Sequence, residues 1–172
     1  MKTEKINETV RYTGHPFVDA GVAVLECYLE KPCEEIQDVD LEKASEWVKS
    51  LYSRKDMKGY LTVHFPNSGW CNATIGKDKK EEYIKNVLSS YTQSPLIPQR
   101  TCAFCDRPAN FLADRQHIPL LTGMTLLVTA PSGILGLPVC GYCLCSVQFY
   151  PMGTLKVAGR PLFWWTPTGI NL

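Results

Sequence analysis

Apolar residues recur along the first half of the chain at helical intervals. Val18, Val22, Leu25 and Leu29 fall on one face of a helix, and Pro16 suits a first turn, where its missing N–H has no partner to lose; the spacing predicts a helix from Pro16 to Glu30. Gly21 inside that stretch points to close approach by another backbone. Residues 1–12 read as a polar lead-in with one short strand at Thr9 to Tyr12. After an acidic loop a second helix is predicted from Asp40 as N-cap, burying Leu41, Ala44, Trp47 or Val48, and Leu51, with Glu42, Lys43, Glu46 and Lys49 facing solvent. Tyr60 to Phe65 alternates as a strand does, Pro66 to Gly69 has turn composition, and Trp70 to Ile75 reads as the returning strand of a hairpin. Asp78-Lys79-Lys80-Glu81 has the form of a capping box opening a third helix that runs to about Tyr91 and buries Ile84, Val87, Leu88 and Tyr91.

Ser94 to Arg100, with Pro95 and Pro98, reads as a linker between regions 1–99 and 100–172. Beyond it the pattern predicts a helical turn at Asn110 to Gln116, then a buried helix or strand pair at Ile118 to Thr129. A helical or extended segment follows to Phe149, with a turn at Pro151 to Gly153. A last hairpin has strands Thr154 to Val157 and Leu162 to Trp165. The expected class is α+β: a helical and hairpin N-terminal half, a zinc-ribbon-like lobe, and a C-terminal β-hairpin.

The second region contains two C-x-x-C knuckles, Cys102/Cys105 and Cys140/Cys143. Two intervening residues let both thiolates of a knuckle turn toward one point, as a tetrahedral ion with Zn–S bonds of about 2.3 Å requires. Four thiolates close the coordination sphere, which makes the expected zinc structural, with no open position for water or substrate. Disulfides, free thiols and a rubredoxin-like iron site are the alternatives, and Cys145 and His117 stand as reserve ligands. The loop between the knuckles is longer than the ~15–20 residues of compact ribbons, so it should carry structure of its own.

At 172 residues and 45% hydrophobic content the chain can bury an ordinary core. No apolar run reaches the ~20 residues needed to span a bilayer. The polar N-terminus lacks a signal-peptide core, so the cytoplasm is the expected compartment, and eight cysteines there argue for metal and reduced thiols. The formal charge of +1 conceals an asymmetry: residues 1–99 hold 13 Lys/Arg against 15 Asp/Glu, and residues 100–172 hold 5 against 2. That is too little for bulk electrostatic DNA binding, which recruits ~6–10 basic contacts.

Four further sites invite chemistry. The Asn67-Ser68-Gly69 turn offers an amide, a hydroxyl and a close backbone, a set suited to phosphates or base edges, although a plain polar turn has the same composition. Lys77, Lys79 and Lys80 crowd a helix N-terminus against its dipole, a hint of an anionic partner or a solvated charge run. His15 beside Asp19 resembles a catalytic pair, yet a capping or packing role is the simpler reading. Phe163, Trp164 and Trp165 are an apolar surface that packs on a larger body or stacks bases.

Taken together, T-G-H-P-F-V-D-A-G at Thr13 to Gly21, N-S-G at Asn67 to Gly69, the two knuckles, F-Y-P-M-G and G-R-P-L-F-W-W resemble the CRISPR-associated CXXC-CXXC family, the large subunit of type I-B Cascade. The match runs through nearly the whole chain in order. It implies a non-enzymatic subunit of a crRNA-guided surveillance complex; members of the family are several times longer, which makes an N-terminal fragment, a split gene product or a truncated homologue the expectation. Such a subunit contacts other Cascade subunits, crRNA and double-stranded target DNA, takes part in PAM recognition, and presents the target to a helicase-nuclease. Base pairing reads sequence in such complexes, so a modest charge is sufficient. By resemblance the nucleic-acid contacts fall on Asn67, Ser68 and Gly69, with Lys77, Lys79 and Arg100 on phosphates. The alternative is a stand-alone zinc-ribbon adaptor binding protein or nucleic acid.

Overall fold

A helix that is apolar on every side can only be stable when other elements surround it. Gly141–Phe149 is such a helix, with every residue but Tyr142 buried. The computed structural model describes residues 9–72, 74–119 and 136–162. Among them the helices are α1 (Pro16–Leu29), α2 (Asp38–Tyr52), α3 (Lys58–His64), α4 (Lys77–Leu88) and α5 (Gly141–Phe149). The strands are β1 (Phe111–Ala113), β2 (Leu137–Val139), β3 (Leu155–Val157) and β4 (Arg160–Leu162), forming two antiparallel pairs, β1 with β2 and β3 with β4. Helices with small antiparallel pairs make the class α+β, and no described helix is long and apolar enough to cross a membrane.

α1 and α5 meet at backbone distance. A Cβ built on Gly21 would stand 1.8 Å from the Ser146 carbonyl oxygen, so only glycine lets the two helices close. At the other end of α5, Gly141 lies against the Ser90–Tyr91 backbone, and Ser90 Oγ donates to the Gly141 carbonyl at 2.9 Å. The buried polar group of α5 is fully engaged. Gln148 accepts from Trp70 Nε1 at 3.1 Å, donates to the His117 and Leu144 carbonyls, and its own carbonyl accepts from Tyr52 Oη at 2.8 Å. One hydrophobic cluster runs from Val10 and Val18 through Leu41, Val48 and Val87 to Cys102 and Cys143, so regions 1–99 and 100–172 share a core.

α1 matches its predicted span to within one residue, and α4 buries Ile84, Val87 and Leu88 as its pattern implied. Val48 rather than Trp47 takes the deep position on α2, while Trp47 stacks on Tyr28 at 4.2 Å. Asp40 is not the N-cap of α2. The helix starts earlier, Gln37 caps it, and Asp40 at the third position returns a bond to the Gln37 N–H at 3.0 Å. The capping box at Asp78 does not form either. α4 begins at Lys77 behind Gly76, so Asp78 is already inside the first turn, and Tyr91 lies in the separate turn Ser90–Thr92.

The hairpin expected at Tyr60 to Ile75 is replaced by α3 and a succession of turns. Leu61, His64 and Phe65 are the buried set, at helical spacing; the Leu61/Val63/Phe65 alternation misleads because a histidine, not a valine, goes inside. No strand forms at Thr9 to Tyr12, although Val10 is buried and Thr9 Oγ1 bonds to the Ile36 carbonyl. Asn110 to Gln116 is not a helical turn: its centre is β1, drawn out by pairing with β2. The run at Ile118 to Thr129 lies outside the described residues from 120 onward. The last hairpin turns on Ala158 and Gly159, both at positive φ (49° and 75°), so its second strand starts at Arg160, two residues before the expected position. Phe163 to Trp165 fall outside the described residues.

This hairpin is anchored through His64. Its Nε2 lies 2.6 Å from Thr154 Oγ1, and Nδ1 carries the proton because it faces the Tyr60 carbonyl at 2.9 Å, which can only accept. Burial lowers the pKa of His64, and likewise of His15 and His117. Folding therefore favours the neutral rings. Their contribution to stability is complete above the unfolded-state value of about 6.5 and is lost as pH falls below it. With zinc in fixed excess, the urea midpoint should drop between pH 7.5 and pH 5.5, and His64→Gln should reduce that drop; an equal drop in the variant would exclude His64 as a contributor. Gly21→Ala should cost about 2–3 kcal/mol in the same assay. Gly59→Ala in α3, where a Cβ meets nothing within 4 Å, should be neutral or stabilising by up to about 1 kcal/mol.

Candidate metal centre

The first knuckle is shaped by its own backbone. Cys102 N–H donates to the Arg107 carbonyl at 2.7 Å, Asp106 sits at φ 62°, and the Phe104 N–H points at Cys102 Sγ, 3.4 Å away. The second knuckle is the start of a helix: Cys140 is the N-cap of α5 and its sulfur accepts from the Cys143 N–H at 3.4 Å. Amides aimed at sulfur favour its thiolate form. The β1–β2 pair then holds the knuckles together. Ala103 N–H donates to the Pro138 carbonyl at 2.9 Å and Asn110 N–H to the Val139 carbonyl at 3.0 Å.

As a result Cys102, Cys105, Cys140 and Cys143 converge, their sulfurs all within 4.8 Å of one another and all four side chains buried. Cys105 and Cys140 Sγ are 3.4 Å apart, far beyond a disulfide bond of about 2.05 Å and close to the roughly 3.8 Å edge of a tetrahedron with Zn–S bonds of about 2.3 Å. The four cysteines are free thiols in one cluster, not two bridged pairs. The donor set could hold a single metal ion. Mutual hydrogen bonding among the thiols lowers the pKa of Cys102. Cys105 falls to about 6, with Cys102 opposing and Cys140 and Cys143 driving the fall. Cys102 and then Cys105 raise Cys140, against Cys143, and Cys102, Cys105 and Cys140 raise Cys143. Four buried thiols thus share their protons, and a divalent cation is the group that lets all four ionise together.

Neither reserve ligand joins the cluster. Cys145 is buried within α5, where burial pushes its thiol up to about 12. His117 lies 2.7 Å from the Asp114 carboxylate, stacks on Tyr83 and meets Phe111 edge-on. Supporting residues that the motif alone does not reveal surround the site. Arg11 donates to the Cys105 carbonyl, and Arg107 donates to the Thr9 carbonyl while covering the Tyr142 ring at 5.4 Å. Asn110 Oδ1 accepts from the Gly141 N–H at 2.9 Å, fixing the start of α5. The only sequence signal for them is their nearness to the knuckles or to the N-terminal lead-in.

The T-G-H-P-F-V-D-A-G segment packs beside this centre. Asp19 accepts from the Thr13 N–H at 2.7 Å and the Gly14 N–H at 3.1 Å, which folds the chain into α1. His15 lies against Phe104 of the first knuckle, ring centroids 4.3 Å apart.

The predicted nucleic-acid residues do not form a hairpin tip. Asn67 is exposed, but Ser68 is buried with its hydroxyl donating to the Phe65 carbonyl, and Gly69 is covered by the Tyr83 ring, 2.5 Å from where a Cβ would stand. Lys77 and Lys79 are exposed at the start of α4, and Arg100 is half-buried ahead of the first knuckle. No family model matches the chain, and neither the curated proteins nor the solved structures include a significant match to it.

Because Cys140 and Cys143 open the central helix, stripping the metal with a chelator, or replacing Cys143 by Ser, should lower the melting temperature of the whole protein by about 10 °C or more in one transition. Elemental analysis should find about one metal ion per chain. A fully folded protein without metal would refute the role of the cluster.

Proposed function

We propose that the chain is a zinc-clamped, non-enzymatic recognition module, a subunit or large-subunit domain of a type I-B CRISPR Cascade, acting in the cytoplasm in antiviral defence. Zinc is favoured because four buried thiolates and a tetrahedral spacing suit it better than harder, oxygen-seeking ions. The observation that carries the reading is the convergence of distant signature segments. The T-G-H-P-F-V-D-A-G turn rests on the first knuckle through His15 and Phe104, and its Gly21 seats α1 on the helix that the second knuckle opens. F-Y-P-M-G closes α5, and its Pro151 carbonyl accepts from Tyr60 Oη of α3. Segments scattered along the sequence thus form one body, as parts of a single family signature would.

In this reading the module contributes to PAM recognition and target DNA binding beside crRNA and the other Cascade subunits. Asn67, Lys77 and Lys79 are the exposed groups available to DNA, with Arg100 half-buried two residues before Cys102. Ser68 and Gly69 shape the turn from inside. Reconstitution with crRNA and the remaining Cascade subunits tests this. Asn67→Ala combined with Lys79→Ala should weaken PAM-duplex binding about tenfold while crRNA retention is unchanged. Failure of the wild-type chain to assemble with those subunits would overturn the assignment in favour of a stand-alone zinc-ribbon adaptor.

A further inference from the structure

α2 and α4 frame a cavity of about 660 Å³. Each helix turns one stripe toward it: Glu42, Ser45, Glu46 and Lys49 from α2, and Glu81, Ile84, Lys85 and Leu88 from α4, both at the i, i+3, i+4, i+7 spacing that keeps side chains on one face. Ile84 and Leu88, with Tyr91 from the turn after α4, are buried and form an apolar floor. The volume falls within the ~300–1,000 Å³ of small-molecule sites, which combine an apolar lining with a few placed polar groups. Asn67, Lys77, Lys79 and Arg100 do not line it, so it lies apart from the groups assigned above to DNA.

The innermost polar group is the Ser45 hydroxyl. Ser45 is only 9% exposed, and its Oγ has no nitrogen or oxygen partner among the described residues. A buried serine inside a helix commonly donates to the carbonyl four residues earlier, as Ser146 does to Tyr142 at 2.8 Å. Ser45 makes no such bond to Leu41, and the Cys145 thiol beside it is a weak partner. The charges at the rim are also incompletely paired. Lys49 reaches Glu46 at 3.4 Å and Lys77 reaches Glu81 at 3.9 Å. Among the described residues Glu42 on the α2 wall and Lys85 on the α4 wall form no ion pair, and they are too far apart to bridge each other. One lone charge in water means little. An unpaired acid and an unpaired base on opposite walls, above an apolar floor and an under-satisfied hydroxyl, together describe a ligand.

We propose that the α2–α4 cavity binds a short apolar peptide as its zwitterion. The ammonium lies on Glu42, the carboxylate on Lys85, the amide against Ser45, and the side chains on Ile84, Leu88 and Tyr91. A dipeptide spreads its terminal charges over at most about 7 Å, a span suited to two wall charges that cannot reach each other. An alkyl amine or a fatty acid answers only one wall. This assignment does not depend on the Cascade reading, and either can fail without the other.

The test titrates the full ¹⁵N-labelled chain with the dipeptide Leu-Leu and follows its amide resonances. A dissociation constant of about 0.1–1 mM is expected for a ligand of this size, with shifts centred on α2 and α4. Acetylating the amino end, or amidating the carboxyl end, should each weaken binding roughly fivefold. The variants identify the partners: Glu42→Gln should abolish the effect of acetylation and keep that of amidation, and Lys85→Gln should do the reverse. Both positions are exposed, so neither change disturbs the core. Ser45→Ala should weaken the free and capped peptides alike, roughly three- to tenfold, with the same spectrum verifying its fold. No shifts at about 10 mM Leu-Leu, shifts centred away from α2 and α4, or capped peptides that bind as tightly as the free one would each overturn the proposal.

Discussion

Cys140 caps α5 and Cys143 stands in its first turn, while the remainder of that helix, Tyr142 apart, is buried. The cysteine cluster and the hydrophobic core are therefore parts of one element. An isolated helix of this length and composition has no reason to persist in water, because helix nucleation is costly and its apolar surface needs cover on all sides. Four thiolates drawn to one ion would fix where the helix starts, and α1, α4 and the turns after them fix what surrounds it. Loss of either half removes the reason for the other.

Two backbone contacts transmit this constraint. Gly21 brings α1 onto Ser146, and Gly141 brings the Ser90–Tyr91 turn onto the start of α5. At each, one absent Cβ sets the distance between helical layers, so the core has little freedom to slide. The β3–β4 hairpin is attached differently, by polar bonds from Tyr60 and His64 to Thr154, and it leaves its apolar face outward.

Much of this was legible in the residues themselves. The C-x-x-C spacings identified the four convergent cysteines, and helical periodicity found α1, α2 and α4, because both signals are local: a knuckle needs two residues between ligands, and an amphipathic helix repeats its own pattern. The Tyr60 to Ile75 hairpin failed for a nonlocal reason. His64 is apolar enough in its ring to be buried once Thr154 and Tyr60 satisfy its nitrogens, and those partners come from one turn earlier in α3 and from ninety residues downstream. The N-S-G turn was likewise read as a surface tip, although Tyr83 and Phe65 draw Ser68 and Gly69 inward.

By itself, then, the sequence determined the ligand set, the helical faces and the need for close approach at Gly21, each a property of neighbouring residues and their spacing. Only the tertiary structure decided that the metal lobe and the helical half would share one core, that Asn110, Arg107 and Arg11 would brace the knuckles, and which polar residues would face solvent. These depend on burial, and whether a polar group can be buried depends on a partner that arrives from elsewhere in the chain.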